Sequence, residues 1–174
     1  MIAAADAKHC PECGSELGSR EVEERSRLYC NTCEKVIWRN PKPAAGVLLK
    51  KDDEILLIKR GNWPHIDSWS IPAGFIERDE EPVKAAAREL EEETNLKISP
   101  ENLQLLDNLM VKHPDGKHVI VITFTADLDK VEGELEAGDD AQDAKYWNIE
   151  ELEETGEELE SDNLRKFLKQ HSKH

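Results

Sequence analysis

Three glutamates in one helical segment form the clearest chemical feature of the chain. Glu89, Glu92 and Glu93 occupy positions i, i+3 and i+4, which project from the same face of a helix. Carboxylate oxygens grouped in this way are the ligands that Mg²⁺ and similar hard cations prefer. Glutamate is also an excellent helix former, so on the helix alone a solvated polar face is the simpler interpretation. The segments around the helix decide between the two.

Four cysteines form a second group with metal-ligand spacing. Cys10 and Cys13 make one C-x2-C pair, Cys30 and Cys33 make another, and 16 residues separate the pairs. Two such pairs can supply the four thiolates of a tetrahedral zinc site that has no open coordination position. Two disulfides or a redox pair are the alternatives, but thiols stay reduced in the cytosol and no thioredoxin-like context surrounds the cysteines. The spacing predicts a structural zinc ribbon.

The sequence upstream of the glutamates makes them part of a longer motif. Residues 74–96 resemble the box of the Nudix hydrolases, G-x5-E-x7-R-E-U-x-E-E-x-G-U with U an aliphatic residue, and the matching positions are Gly74, Glu80, Arg88, Glu89, Leu90, Glu92, Glu93 and Leu96. Asn95 stands where the family has glycine. That glycine ends the helix in a left-handed conformation, which asparagine also adopts. The motif favours metal binding over a solvated face.

The resemblance covers essentially the whole chain, because some Nudix hydrolases carry a four-cysteine ribbon ahead of the catalytic domain. It implies a zinc ribbon over residues 1–40 and a Nudix domain over residues 41–174. The implied fold class is α/β, an α/β/α sandwich with a mixed sheet. The stretch 40–43, Asn-Pro-Lys-Pro, marks the junction, because each proline favours an extended residue before it.

The resemblance also assigns roles to residues. Glu89, Glu92 and Glu93 would bind Mg²⁺ or Mn²⁺ with the help of a backbone carbonyl at Ala73 or Gly74. The activity implied is cleavage of the pyrophosphate bond in a nucleoside diphosphate derivative, with ADP-ribose favoured over FAD.

Two further parts of the expected catalytic site come from the same resemblance. Arg88 would hold the box together, with Glu80 as its partner. Many members use a later acid as a base or an extra ligand. Four residues are candidates here and the sequence does not choose between them: Glu136, Asp139, Asp140 and Asp143.

Several cationic and aromatic residues could contact a substrate. Arg60 and His113 are the candidates that we retain for phosphate or ribose. Other cations that could do so are Lys59, Lys117 and His118. Trp63 and Trp69 could stack on a base, although an aromatic residue in a proline-containing loop more often packs against the protein.

The elements that would position these residues follow from hydrophobic periodicity. Apolar residues at spacings of three and four predict a helix over 82–94, with Pro82 in its first turn. Two apolar runs, Gly46–Leu49 and Ile55–Ile58, predict a β-hairpin. The remaining predictions are a brief strand at 71–73, strands at 103–111, 118–128 and 145–147, and helices at 149–154 and 163–170.

Composition limits the classes of partner. The chain has 38 acidic and 23 basic residues and a net charge of −15, and such a surface repels the phosphate backbone of nucleic acids. Residues 1–43 carry seven bases and seven acids, a balance that predicts no basic patch on the ribbon and favours docking or a homodimer. No run approaches the ~20 apolar residues of a membrane span, so we expect no membrane partner and a cytoplasmic location.

Other functions compete with this one. A nucleoside triphosphate or dinucleoside polyphosphate hydrolase is one alternative, and a non-catalytic nucleotide-binding regulator is another. The intact trio of glutamates argues against a pure binder, because clustered like charges destabilise a helix. A zinc-ribbon scaffold protein is the third, and the balanced charge of the ribbon argues against it.

Overall fold

The computed structural model describes residues 7–172. The strands are β1 (Gly18–Val22), β2 (Arg25–Cys30), β3 (Lys35–Ile37), β4 (Lys42–Leu48), β5 (Lys50–Lys51), β6 (Glu54–Arg60), β7 (Trp69–Ser70), β8 (Ala73–Phe75), β9 (Gln104–Lys112), β10 (His118–Thr125) and β11 (Ala141–Trp147). The helices are α1 (Pro82–Thr94), α2 (Ile149–Glu154) and α3 (Asp162–His171). Residues 1–6 and 173–174 lie outside the described part.

The N-terminal unit is a small antiparallel sheet in the order β1-β2-β3. Its buried residues are few and include Cys10, Tyr29 and Cys30. Such a small apolar core stabilises little by itself. The extended residues 38–41 separate β3 from β4, and the division expected at 40/41 falls within this segment.

The rest of the chain builds two sheets between helices. One has the order β8-β4-β10-β9, with β4 and β10 parallel and the other neighbours antiparallel. The other has the order β11-β6-β5, with β7 also paired to β6. The predicted α/β class and mixed sheet are confirmed.

Alternate residues of β4 face two different cores. Ala45 and Val47 pack with the buried stripe of α1, whereas Ala44 and Leu48 pack with apolar residues of α2 and α3. Helices therefore cover both faces of the sheet layer, in an α/β/α arrangement. No helix in the described part of the chain is long and apolar enough to cross a membrane.

Helix α1 has the bounds that the sequence predicts. Pro82 occupies its first turn, and Asn95 follows its end in the left-handed conformation with φ of 57°. The side-chain amide of Asn95 donates to the carbonyl of Glu134 at 3.0 Å. The buried side of the helix, Ala85, Ala86 and Leu90, faces β4. Asparagine thus performs the helix-ending role of the family's glycine.

The predicted hairpin was right in its turn and wrong in its partner strand. β6 pairs with the two-residue strand β5 around a turn at Asp52, where φ is 55°. The carbonyl of Leu49 also accepts from the backbone N–H of Leu56 at 3.0 Å. Residues 46–48 of the run belong to β4, which pairs with β10 and β8 in the other sheet. An apolar run that is buried on both faces carries no periodicity that would identify its neighbour.

Other boundaries shift by a few residues. The brief strand expected at 71–73 is replaced by β7 before it and β8 from Ala73 onward, and β11 begins four residues before the predicted Lys145. The other predicted strands and the terminal helices are present, and their ends differ from the prediction by at most three residues.

Candidate metal and substrate site

The motif residues meet where β8 lies beside α1. A Cβ on Gly74 would come within 2.2 Å of the carboxyl carbon and Oε1 of Glu89. Only glycine at this position lets that carboxylate lie against the strand backbone. Burial raises the pKa of Glu89, and the neighbouring Arg88 opposes the shift. The glycine that begins the motif therefore makes room for one of its acids.

Glu93 is the most enclosed acid of the site. The residue is 5% exposed, and its Oε2 accepts a hydrogen bond of 2.9 Å from the backbone N–H of Ala73. Burial is the main cause that raises the pKa of Glu93 to about 8, while the bond from Ala73 opposes the shift and the charge of Glu89 adds to it. A buried carboxylate is costly without an opposite charge beside it. A bound cation would supply that charge.

Arg88 links the acids of the motif. Its Nε and Nη2 donate to the two carboxylate oxygens of Glu80 at 2.9 and 3.0 Å. Its Nη1 donates to Glu89 at 2.6 Å and to Glu92 at 2.9 Å. These carboxylates raise the pKa of Arg88, and Arg88 lowers the pKa of Glu80. The structure pairs Arg88 with Glu80 as expected, and a part for Arg88 in catalysis stays a prediction.

The donor atoms of this cluster fit a hard divalent cation. One oxygen of each glutamate is engaged, by Arg88 for Glu89 and Glu92 and by Ala73 for Glu93. Within residues 7–172, the second oxygen of each accepts no hydrogen bond. Three oxygens beside a strand backbone match the preference of Mg²⁺ and Mn²⁺ for carboxylate and carbonyl ligands. The carbonyl of Ala73 as a further ligand stays a prediction.

The structure brings two of the four candidate downstream acids to the same cavity. The backbone N–H of Gly138 donates to the carbonyl of Glu93 at 3.1 Å, which fastens the 133–140 loop to the end of α1. Asp139 and Asp140 consequently line the cavity of about 410 Å³ that holds the glutamates. Glu136 and Asp143 are not among its described lining residues.

The cavity also contains a cationic side, which includes both predicted substrate contacts. Arg60 and His113 line it together with Glu160. Nη1 of Arg60 lies 3.8 Å from the Glu160 carboxylate. Burial is the main cause that lowers the pKa of His113, and the charge of Glu160 opposes the shift. The structure therefore brings Arg60 and His113 together, close to the acidic cluster.

Sequence reasoning missed two residues of this side, His65 and Glu160. The ligand atoms of His65, His113 and Glu160 lie within 4.8 Å of one another, and Nε2 of His65 is buried with no hydrogen-bond partner in the described structure. Two imidazoles and a carboxylate can hold a transition metal, but the guanidinium of Arg60 puts a permanent positive charge beside them. An anion suits this side better. No spacing in the sequence links residues so far apart.

The other candidate substrate contacts lie in different parts of the structure. Trp63 is 62% exposed and lines the cavity, whereas Trp69 is 1% exposed and packs in the core. Lys59 bonds the Glu157 carboxylate at 2.9 Å and does not belong to the described cavity lining. Lys117 and His118 line a second cavity. Of the two tryptophans, Trp63 is thus the one in position to meet a base.

The four cysteines of the ribbon converge as their spacing predicts. Their Sγ atoms all lie within 4.8 Å of one another, and the Sγ atoms of Cys13 and Cys30 are 3.6 Å apart. All four are free thiols, with no disulfide among them. Four sulfur donors around one point suit tetrahedral Zn²⁺, so the donor set fits the expected metal.

Comparison with known sequences places this arrangement in a family. Residues 40–170 match the family model of the NUDIX domain. The chain is 38% identical over 116 residues to the ADP-ribose pyrophosphatase of Methanocaldococcus jannaschii, and the match covers 67% of each protein. The chain spans about half the length of other curated relatives that it matches.

Solved structures share the fold. A Nudix hydrolase from Nitrosomonas europaea superposes with a TM-score of 0.67 at 22% identity, over 95% of this chain and 90% of that one. A bifunctional NMN adenylyltransferase/ADP ribose pyrophosphatase from Francisella tularensis, complexed with AMP and a manganese ion, gives a TM-score of 0.57 at 26% identity, over 78% of this chain and 43% of that one. With the family match, these likenesses show that the chain is a member of the Nudix hydrolase family.

Proposed function

We propose that this protein is a Mg²⁺- or Mn²⁺-dependent hydrolase of nucleoside diphosphate derivatives, with ADP-ribose as the favoured substrate. The observation that carries the proposal is that Glu89, Glu92 and Glu93 line one cavity, which also holds Arg60 and His113. Glu89 and Glu93 lie against the backbone of β8 there. An acidic cluster in the same cavity as the guanidinium of Arg60 suits a metal-bound diphosphate attached to a further group.

The three glutamates would hold the metal. A divalent ion bound there would neutralise the diphosphate and lower the pKa of an attacking water. The chain itself fixes the carboxylates before any ligand arrives, through the bonds from Arg88 and from the Ala73 N–H. Such preorganisation reduces the rearrangement that the reaction would otherwise require.

A downstream carboxylate would accept the proton of the attacking water. Asp139 and Asp140 are the candidates that line the cavity, and Asp140 is close enough for its charge to raise the pKa of Glu93. Single Asn variants at the two positions separate them, since the variant at the base should lose most of the turnover and the other should retain it.

The substrate would lie between the acids and the cationic side. Arg60 and His113 would contact phosphate or ribose, and Trp63 would stack on the base. ADP-ribose is favoured because the relative from Methanocaldococcus jannaschii carries the name ADP-ribose pyrophosphatase. The cavity also joins oxygen ligands for a metal to the guanidinium of Arg60, which would contact a phosphate.

The ribbon cysteines would hold a structural zinc ion. All four coordination positions would be filled by Cys10, Cys13, Cys30 and Cys33, which leaves no position for substrate. The ion would supply folding energy to a unit with few buried residues. Its chemistry would therefore be separate from the reaction.

A substrate panel tests the proposal. ADP-ribose, FAD, NADH, dinucleoside polyphosphates and nucleoside triphosphates would each be incubated with Mg²⁺ and with Mn²⁺, and the products separated. We expect ADP-ribose to be turned over fastest and to yield AMP and ribose 5-phosphate. A strong preference for triphosphates would favour the nucleotide-hydrolase alternative. No hydrolysis of any compound while metal is bound would favour the regulator.

A further inference from the structure

A second cavity lies where the ribbon meets the Nudix domain, and we call it the junction groove. Its volume is about 630 Å³, and its basic lining residues are Arg27, Arg39, Lys42, Lys117 and His118. None of its described lining residues is acidic, although acids outnumber bases by 38 to 23 in the chain. Only Arg27 and Arg39 come from residues 1–40, and the other basic residues come from the Nudix domain. The equal count of acids and bases in residues 1–43 therefore did not predict this separation, which arises between the two units.

Most of these cations are available to a ligand. Within residues 7–172, Arg27, Arg39 and Lys42 form no ion pair with a carboxylate. The guanidinium of Arg27 stacks on Trp38 at 5.0 Å, and its Nε is buried with no hydrogen-bond partner. Lys117 differs, because Asp115 bonds its Nζ at 2.6 Å. The groove therefore holds a local excess of positive charge with a buried donor left unsatisfied.

The chemistry of the lining suits phosphate. Guanidinium groups bind phosphate oxygens through paired N–H donors. The hydroxyls of Ser19 and Ser26 and the amide of Asn40 add neutral donors, and Leu28 with Ile37 forms an apolar wall. We propose that the junction groove binds the phosphate groups of a small molecule, such as a nucleotide or a short polyphosphate, at a site separate from the glutamate cluster.

The surroundings of the groove favour a small ligand over a nucleic acid strand. Ser26 lies opposite Glu21 in the β1–β2 hairpin, so the two side chains share a face. Glu23 and Glu24 form the exposed turn of the same hairpin. A polyanion that extended beyond the groove would meet these carboxylates and the rest of a surface with net charge −15, which would repel it.

Phosphate binding at the junction groove should not require a metal ion, unlike phosphate binding at the glutamate cluster. Binding of a phosphate among carboxylates needs a divalent cation, whereas the groove presents its own positive charges. The two cavities adjoin, because Nζ of Lys42 lies 5.1 Å from the ring centroid of Phe75, which lines the glutamate cavity. Removal of divalent cations should therefore leave binding at the groove intact while it abolishes binding that depends on the glutamates.

Calorimetric titration tests this inference on the full, zinc-loaded chain. ADP and inorganic pyrophosphate are the probes, in buffer freed of Mg²⁺ and Mn²⁺. We expect binding of one equivalent, weakened at least tenfold in the variant Arg39→Gln/Lys42→Gln and by added salt. Both side chains are exposed, so the variant should fold. The matched control is Lys166→Gln, an exposed lysine of α3, which should bind as the parent protein does.

Three results would overturn the inference. The first is no binding of either probe without divalent cations. The second is binding that survives in Arg39→Gln/Lys42→Gln and is lost in Arg60→Gln, which would place the probe in the glutamate cavity. The third is tighter binding of a single-stranded RNA than of ADP, which would make the groove a nucleic-acid surface. None of these readouts depends on hydrolysis, so they are distinguishable from a failure of the proposed function.

Discussion

Glu93 combines a buried position with an ionisable side chain, and this combination would couple binding of the proposed metal to folding. Its carboxyl lies in the acidic cluster with 5% of the residue exposed. Because its pKa is raised to about 8 by burial, the folded protein binds a proton that the unfolded chain has already released. At neutral pH the carboxyl of Glu93 is therefore kept mostly protonated in the folded protein without metal, and a cation bound at the proposed site would have to displace this proton.

The stability of the metal-free protein should fall as pH rises from about 4.5 to about 8. The pKa of Glu93 is higher in the folded state than in the unfolded chain. Its contribution to stability is therefore fully present below the unfolded pKa and is lost as pH rises through the folded pKa, by at most about 1.4 kcal/mol per pH unit. Urea unfolding of the parent and of Glu93→Gln at several pH values measures the difference. We expect Glu93→Gln to be the more stable of the two at pH 8.

The matched control for this measurement is Glu92→Gln. The Glu92 side chain is 45% exposed, so the same chemical change should leave the pH dependence of stability close to that of the parent. An equal gain in both variants would point to general relief of negative charge, and would contradict a specific effect of burial at Glu93.

Arg88→Lys tests how far the guanidinium organises the site. A lysine ammonium carries the same charge as the guanidinium. It lacks the planar set of N–H donors that contacts Glu80, Glu89 and Glu92 together. We expect the Mg²⁺ concentration for half-maximal rate to rise at least about tenfold, the range typical of residues that orient metal ligands. An unchanged metal requirement would show that Arg88 is dispensable for this purpose.

At the scale of elements, helix α1 is what the sequence predicted best, because both of its ends lie where expected. Pro82 and Asn95 gave the helix its two ends, because proline suits a first turn and asparagine tolerates the left-handed residue that follows a helix. The partner of β4 could not be predicted. Its apolar residues are buried on both faces, and an unbroken apolar run has no periodicity that would identify the neighbouring strand.

Asn95→Gly should change stability little, whereas Asn95→Ala should cost about 1–2 kcal/mol. At φ of 57°, glycine adopts the left-handed conformation more easily than asparagine but lacks the side-chain hydrogen bond to Glu134. Alanine adopts this conformation less easily than asparagine and also lacks the hydrogen bond. Thermal or urea unfolding of the two variants measures the contrast. Equal stability of the two would show that the conformation at this position is not strained for alanine.

Gly74→Ala should lower turnover while leaving the fold in place. The added methyl group would meet the Glu89 carboxyl, so this side chain must leave its position against β8. Rates with saturating ADP-ribose, with circular dichroism as a check on folding, would show the effect. Activity equal to that of the parent would contradict the placement of Glu89.

At the scale of the whole molecule, the sequence identified the motifs and missed what distant segments build together. The cysteine pairs and the glutamate trio are local patterns whose spacing sets their geometry. His65 and Glu160, by contrast, meet His113 only through the tertiary fold. The junction groove was missed for the same reason, because a count of charges along residues 1–43 does not record on which side each charge lies.

The ribbon should contain one zinc ion per chain, and its loss should unfold the ribbon first. Cys13→Ser removes one thiolate, so we expect zinc content near zero and early proteolysis within residues 7–40, with the Nudix domain still folded. Metal analysis and limited proteolysis measure both. A zinc-free preparation as stable as the loaded one would contradict a structural zinc. The homodimer expected from the ribbon stays a prediction.

The most direct test of the central claim is the turnover of ADP-ribose as a function of Mg²⁺ concentration. For the parent protein we predict no turnover without a divalent cation and saturation as Mg²⁺ is added. Glu92→Gln and Glu93→Gln should each be slower by at least about a hundredfold at saturating Mg²⁺, with the fold retained. Turnover that persists without divalent cations, or near-parental rates in both variants, would contradict a reaction carried by metal at these glutamates.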